Sequence, residues 1–111
     1  MEARPIRVQN YVAHDNSCPF EDWLDGLRDL KAVAQIDKRV ARLRLGLLGE
    51  FNAVGGGVLE LIFRGTGPGY RIYCGQDGQD LVILLGGGVK RGQQSDIDDA
   101  KERWRDYKRE E

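Results

Sequence analysis

Three short apolar stretches in the second half of the chain most limit the fold that it can adopt. They read VLELIFR at 58–64, YRIYCG at 70–75 and DLVILLGG at 80–87, and each has the length and composition of a β-strand. Between them lie GTGPG and QDGQ, which supply the residues that tight hairpin turns need. We therefore expect consecutive antiparallel strands, with the stretch LVILL, apolar on both faces, as the most buried.

The flanking regions predict helices. Apolar residues step by three and four along 31–46 and again along the C-terminal region, which is the spacing of one helix face. A shorter helix begins at Pro19, and a strand over 5–12 precedes it. The order is β-α-α-β-β-β-β-α, a single α+β domain over residues 1–111 with a small, mostly antiparallel sheet, a helical pair on one sheet face and a C-terminal helix. The two apolar stripes are Val33, Ile36, Val40, Leu43 and Leu47, and Ile97, Ala100, Trp104 and Tyr107.

Composition excludes several classes of protein. No apolar run approaches the roughly 20 residues of a membrane span, and the N-terminus lacks an apolar signal segment, so we expect a cytoplasmic protein. Cys18 and Cys74 match no metal-ligand spacing, and we expect neither a metal nor a cofactor. The net charge of −1 argues against nucleic-acid binding by bulk charge, although residues 31–44 are strongly basic.

Basic and phenolic residues form the candidate site. Strand side chains alternate between faces, so Arg71 and Tyr73 point together, away from the apolar residues of the same strand. Guanidinium and ammonium groups bind phosphate oxygens, and a concave region with several of them suits a phosphodiester. A solvated polar sheet face explains the same alternation. The cations that flank this strand in the expected sheet are Arg64, Lys90 and Arg91.

Three stretches together resemble the RelE/ParE superfamily of toxins from type II toxin–antitoxin systems, within its HigB-like "addiction module killer protein" branch. The first is FEDWLDGLRD followed by IDKRVARLRLGLLGE, the second is GPGYRIY, and the third is LLGGGVKRGQQSDIDDA. The likeness covers residues 5–109. It implies a compact RelE-like sheet with two helices on one face and a cleft on the other.

The resemblance also implies an activity. RelE-type toxins cut messenger RNA on the ribosome without a metal, by attack of the ribose 2′-hydroxyl on the adjacent phosphate. Arg71 would then stabilise the charge on the phosphorane, Lys90 would contact the phosphate or carry a proton, and Tyr73 would stack on a base or assist proton transfer. Further contacts to substrate or ribosomal RNA would come from Arg64, Arg91, Gln93, Lys38 and Arg42.

The expected partners are a cognate antitoxin, a small helix-turn-helix protein, together with the ribosome and its messenger RNA. Exposed hydrophobic residues around Trp104 or Phe51 are candidates for the antitoxin interface. The chain departs from the branch pattern at Val89, where aspartate is usual, and near Ile62, where arginine is common. Two alternatives therefore stay open: a non-catalytic ParE-like toxin that binds DNA gyrase, and an inactive member that only binds its antitoxin.

Overall fold

The chain folds around a sheet that carries helices on both faces. The computed structural model describes residues 4–65 and 67–111, so Thr66, inside the predicted GTGPG turn, lies outside the described residues. The elements follow the predicted order. They are β1 (Arg7–Asn10), α1 (Pro19–Asp25), α2 (Leu30–Arg44), β2 (Phe51–Gly55), β3 (Val58–Ile62), β4 (Tyr70–Asp77), β5 (Leu81–Val89), a 3₁₀ turn (Lys90–Gly92) and α3 (Gln93–Arg109).

The five strands lie in the order β1-β5-β4-β3-β2. Three neighbouring pairs are antiparallel, and β1 runs parallel to β5 with Val8 opposite Val82. The structure thus confirms an α+β protein with a mostly antiparallel sheet. It also confirms that β5 is deeply buried, because side chains of both faces along Val82–Leu85 are covered.

Helices α1 and α2 cover one face of the sheet. Asp29 begins α2, because its side chain accepts hydrogen bonds from the backbone N–H groups of the first turn. Such a cap typically stabilises a helix by about 1 kcal/mol. The predicted stripe packs into the core through Ile36, Val40 and Leu43. Leu47 does not join it, because α2 ends at Arg44 and Gly46, with a φ of +84°, turns the chain away.

Helix α3 covers the opposite face. Its buried residues Ile97, Ala100 and Trp104 pack in one cluster with Tyr73 and Leu85 of the central strands. This corrects the expectation of an open cleft there, because the apolar stripe of α3 occupies most of that face.

Glycines in β5 allow helices to approach this strand from both faces. A side chain at Gly87 would overlap the indole ring of Trp23 in α1, and one at Gly88 would overlap the carboxylate of Asp96 in α3. The three glycines 86–88 therefore permit the close packing that places the start of α3 over the end of β5 and the beginning of β4. In the described part of the chain, no helix combines the length and apolar character needed to cross a membrane.

Candidate functional site

Arg71 and Lys90 both lie beside Gly69, where the chain enters β4. In the β4–β5 pair, Tyr70 lies opposite Val89 and Arg71 opposite Gly88, so Lys90 directly follows the residue opposite Tyr70. Arg71 Nη1 donates a hydrogen bond of 2.8 Å to the carbonyl of Gly69. A Cβ atom added at Gly69 would lie 3.1 Å from Arg71 Nη1 and 3.1 Å from Lys90 Cβ. The structure therefore brings these two predicted residues together.

Glu60 of β3, which the sequence pattern did not single out, lies at the centre of this group. Its side chain is 1% exposed. Oε2 accepts hydrogen bonds from Gln93 Nε2 at 2.7 Å and from the hydroxyl of Tyr73 at 3.2 Å. A single carboxylate in the otherwise apolar VLELI stretch was the available signal, because a charged residue that is fully buried needs partners.

The guanidinium of Arg71 forms an ion pair with Glu60. Arg71 Nε lies 3.2 Å from Glu60 Oε2, and the arginine side chain is 13% exposed. The angle is not that of a hydrogen bond, so Nε stays a buried donor without a partner. A buried donor without a hydrogen bond typically costs about 1–3 kcal/mol. Glu60 therefore holds Arg71 less firmly than it would in a bidentate ion pair with two hydrogen bonds.

Tyr73 is a correction to the predicted site. The alternation was right, because Tyr73 shares the Arg71 face of β4, but that face is covered by α3 and the ring is 1% exposed. Burial, followed by the charge of Glu60, raises the pKa of the Tyr73 hydroxyl well above its usual range. A buried phenol that donates to Glu60 cannot stack on a nucleotide base, and with its raised pKa it does not release its proton at neutral pH.

Asp96, in the first turn of α3, adds a second carboxylate to the surroundings. Burial raises its pKa, and the neighbouring charge of Asp99 raises it further. The charge of Asp96 also contributes to the raised pKa of Tyr73. The surroundings of Arg71 are thus of mixed charge, and not the purely cationic cleft that the sequence predicted.

Gln93 and Arg91 have different surroundings in the structure. Gln93 opens α3 and ties that helix to Glu60 through its side-chain amide. Its role as a substrate contact stays a prediction. Arg91, in the 3₁₀ turn, is exposed, and within the residues that the structure describes it forms no ion pair.

The remaining predicted contacts lie together elsewhere. Arg64 Nε donates to Glu50 Oε1 at 2.9 Å, and this bond holds the pKa of the Glu50 carboxyl below its usual range. Arg64, Lys38 and Arg42 line one groove of about 570 Å³ between α2 and the region around β2 and β3. Neither Arg71 nor Lys90 lines this groove, so the predicted site residues form two separate groups.

A comparison with known proteins finds that the chain is similar to an uncharacterized protein of Haemophilus influenzae. The two sequences are 43% identical over 82 residues, which are 74% of this chain and 82% of the relative. The chain belongs to the family of that protein. No protein-family model and no solved structure matches the chain.

One group of side chains has the donor atoms for a metal ion. His14, Asp106 and Glu110 each place one such atom within 4.8 Å of the others. This group lies near the C-terminal end of α3, whereas Arg71 lies beside its beginning. His14 and Asp106 are hydrogen-bonded to each other at 3.0 Å.

Proposed function

We propose that this chain is the toxin of a type II toxin–antitoxin module, a HigB-like member of the RelE/ParE superfamily that inhibits translation by cutting messenger RNA on the ribosome. The observation that carries the proposal is that the Arg71 guanidinium and the Lys90 Cβ atom both lie beside Gly69. These cations come from GPGYRIY and LLGGGVKRGQQSDIDDA, the two stretches that most resemble the killer-protein branch.

The proposed reaction is an internal transesterification. The ribose 2′-hydroxyl attacks the adjacent phosphorus, the O2′–P bond forms, and the P–O5′ bond breaks. The proton of the 2′-hydroxyl passes to water, and the Lys90 ammonium donates a proton to the departing 5′ oxygen. The products are a 2′,3′-cyclic phosphate and a 5′-hydroxyl.

Arg71 supplies the main electrostatic stabilisation in this proposal. Its guanidinium lies at the strand end where a phosphate could also reach Lys90, and positive groups aimed at developing charge are a large source of catalysis. Glu60 keeps the guanidinium at this place but neutralises part of its charge. Tyr73, whose ring is buried, takes no part in the reaction.

The proposed partners are those that the family resemblance implies. The toxin would act in the cytoplasm on ribosome-bound messenger RNA, and a small helix-turn-helix antitoxin would hold it inactive. Of the two hydrophobic residues considered for the antitoxin interface, Phe51 is 44% exposed and remains a candidate. Trp104 is a core residue and is not available.

A second candidate is a binding-only member of the same superfamily, either a ParE-like gyrase binder or an inactive partner of its antitoxin. The Arg71–Glu60 ion pair and the burial of Tyr73 favour it, because both reduce the catalytic groups that an RNA could meet. Lys90 discriminates between the two, since its exposed side chain has no structural partner among the described residues.

The test is induced expression in bacterial cells with mapping of transcript 5′ ends. The wild-type chain should arrest growth and create new 5′ ends within coding regions. Lys90→Ala should remove both effects, because one lost stabilising group typically lowers such a rate by about 100- to 1000-fold. Lys31→Ala, an exposed lysine of α2, is the matched control and should behave as wild type. Growth arrest by Lys90→Ala without new 5′ ends would favour the binding-only candidate.

A further inference from the structure

The groove between α2 and β2 combines positive charge with an apolar surface. We call it the α2–β2 groove, and its volume is about 570 Å³. Four of its residues are cationic and one is a carboxylate, whereas the whole chain has a net charge of −1. Its lining consists of Gln35, Lys38, Arg39, Arg42, Leu47, Gly49, Glu50, Ile62, Phe63 and Arg64.

Arg39 makes the walls of this groove rigid. Its guanidinium donates to the carbonyls of Leu48 at 3.1 Å, Glu50 at 2.6 Å and Ile62 at 2.7 Å. One side chain of α2 thereby fixes both the segment that leads into β2 and the end of β3. A preformed groove binds with a lower entropy cost than one that must be ordered by its ligand.

Lys38 and Arg42 are the cations that the groove leaves for a ligand. They lie one helical turn apart on α2, so their side chains share a face. Both are exposed, and within residues 4–65 and 67–111 neither forms an ion pair, whereas Arg64 is engaged by Glu50. Two adjacent unpaired cations favour a ligand with carboxylates or phosphates.

The apolar part of the groove continues onto an open sheet edge. Leu47 is 48% exposed. Phe51, which directly follows Glu50 and begins β2, is also exposed. In the described chain, β2 is the last strand on this side of the sheet and pairs only with β3. An edge strand with free backbone groups accepts an extended peptide as an added strand.

We infer that the α2–β2 groove binds an extended segment of a partner protein, in which acidic residues alternate with apolar ones. The segment would pair with the outer edge of β2, place its apolar side chains on Leu47 and Phe51, and direct its carboxylates to Lys38 and Arg42. This assignment replaces the contact to ribosomal RNA that the sequence suggested for these two cations.

RNA fits the same groove less well. Single-stranded RNA binds by stacking its bases on exposed aromatic rings, besides contacts to its phosphates. The ring of Phe63 in the groove lining already carries the Arg39 guanidinium 5.1 Å from its centroid, so the exposed ring of Phe51 beside the groove is the one left to stack on a base. The outer edge of β2 can hydrogen-bond to a peptide backbone, and exposed Leu47 can contact an apolar side chain of that peptide. A phosphate chain offers neither contact.

The test measures binding of a fluorescent peptide of alternating valine and glutamate to the full chain by fluorescence anisotropy. Amide NMR shifts should map the binding to Phe51–Gly55 and to α2. The double variant Lys38→Glu, Arg42→Glu should weaken binding at least about tenfold, because like charges then face each other across the interface. The control, Lys31→Glu with Arg105→Glu, reverses two exposed cations outside the groove and should change the affinity less than about twofold.

Three results would overturn the inference: no peptide binding, equal binding of a valine–lysine peptide, or binding that Lys38→Glu, Arg42→Glu leaves unchanged. Tighter binding of a single-stranded oligoribonucleotide that displaces the peptide would assign the groove to RNA instead. The outcome is separate from that of the proposed nuclease, because Lys38 and Arg42 lie outside the Arg71–Lys90 site.

Discussion

At the scale of single residues, the Arg71–Glu60 pair links the proposed catalysis to stability. Arg71→Ala would leave Glu60 buried without its cation, and breaking a buried pair from one side typically costs about 3 kcal/mol. The role that the family resemblance implies for Arg71 would give a loss of toxicity in this variant, and the structure predicts a lower free energy of unfolding as well. Urea denaturation of wild type and Arg71→Ala measures the difference.

The control for this prediction is the double variant Glu60→Gln, Arg71→Ala. It removes the uncompensated charge and keeps a group that can bond to Gln93 and Tyr73, so it should unfold at a higher urea concentration than Arg71→Ala alone. If the double variant is as unstable as the single one, the loss comes from packing and not from the stranded carboxylate.

A second prediction at this scale concerns His14, which is the one histidine of the chain. Its hydrogen bond with Asp106, and then the charge of that carboxylate, raise the pKa of His14 above the ordinary 6.5. The protonated His14 ring therefore contributes its full stabilisation of the fold below pH 6.5, and this contribution is lost as the pH rises through the raised pKa. It is also lost in acid, where Asp106 is protonated through its lowered pKa.

An NMR titration of the His14 ring protons measures this pKa directly. We expect a value above 6.5 in the wild type and a lower one in Asp106→Asn. Asp99→Asn, which removes a carboxylate from the same surface cavity but not from the hydrogen bond, is the control. An unchanged His14 titration in Asp106→Asn would show that the pair is absent in solution.

At the scale of elements, close packing of α1 on β5 depends on Gly87. A methyl group there would overlap the indole of Trp23, and overpacking of this kind costs about 1–3 kcal/mol. Gly87→Ala should lower the free energy of unfolding by about that amount in thermal or urea denaturation. Gly67→Ala is the matched control, because open space surrounds a methyl group at Gly67. Equal stability of Gly87→Ala and Gly67→Ala would contradict the packing of α1 described above.

At the scale of the whole molecule, local patterns predicted the elements but not which surfaces they cover. The order of strands and helices followed from periodicity and turns, which depend on neighbouring residues. The burial of Tyr73 depends on where α3 docks, and the stripe of Ile97, Ala100 and Trp104 does not say which sheet face it covers. Glu60 was missed for the same reason, because its partners Arg71 and Gln93 come from distant segments.

The split of the predicted cations into two groups is also a property of the whole molecule. Arg64 immediately precedes the turn into β4, and from the sequence it belonged with Arg71. Its bond to Glu50 instead makes it part of the α2–β2 groove. Phosphate chemistry is thus proposed for one region and protein binding for another.

The most direct measurement of the central claim is the chemistry of RNA ends produced in a bacterial cell-free translation reaction. With the wild-type chain, we predict cleaved messenger RNA that carries 2′,3′-cyclic phosphate and 5′-hydroxyl ends. The yield should fall by about 100- to 1000-fold with Lys90→Ala and stay unchanged with Lys31→Ala. Intact messenger RNA with the wild-type chain, or equal cleavage by Lys90→Ala, would contradict the assignment of the Arg71–Lys90 site as a nuclease centre.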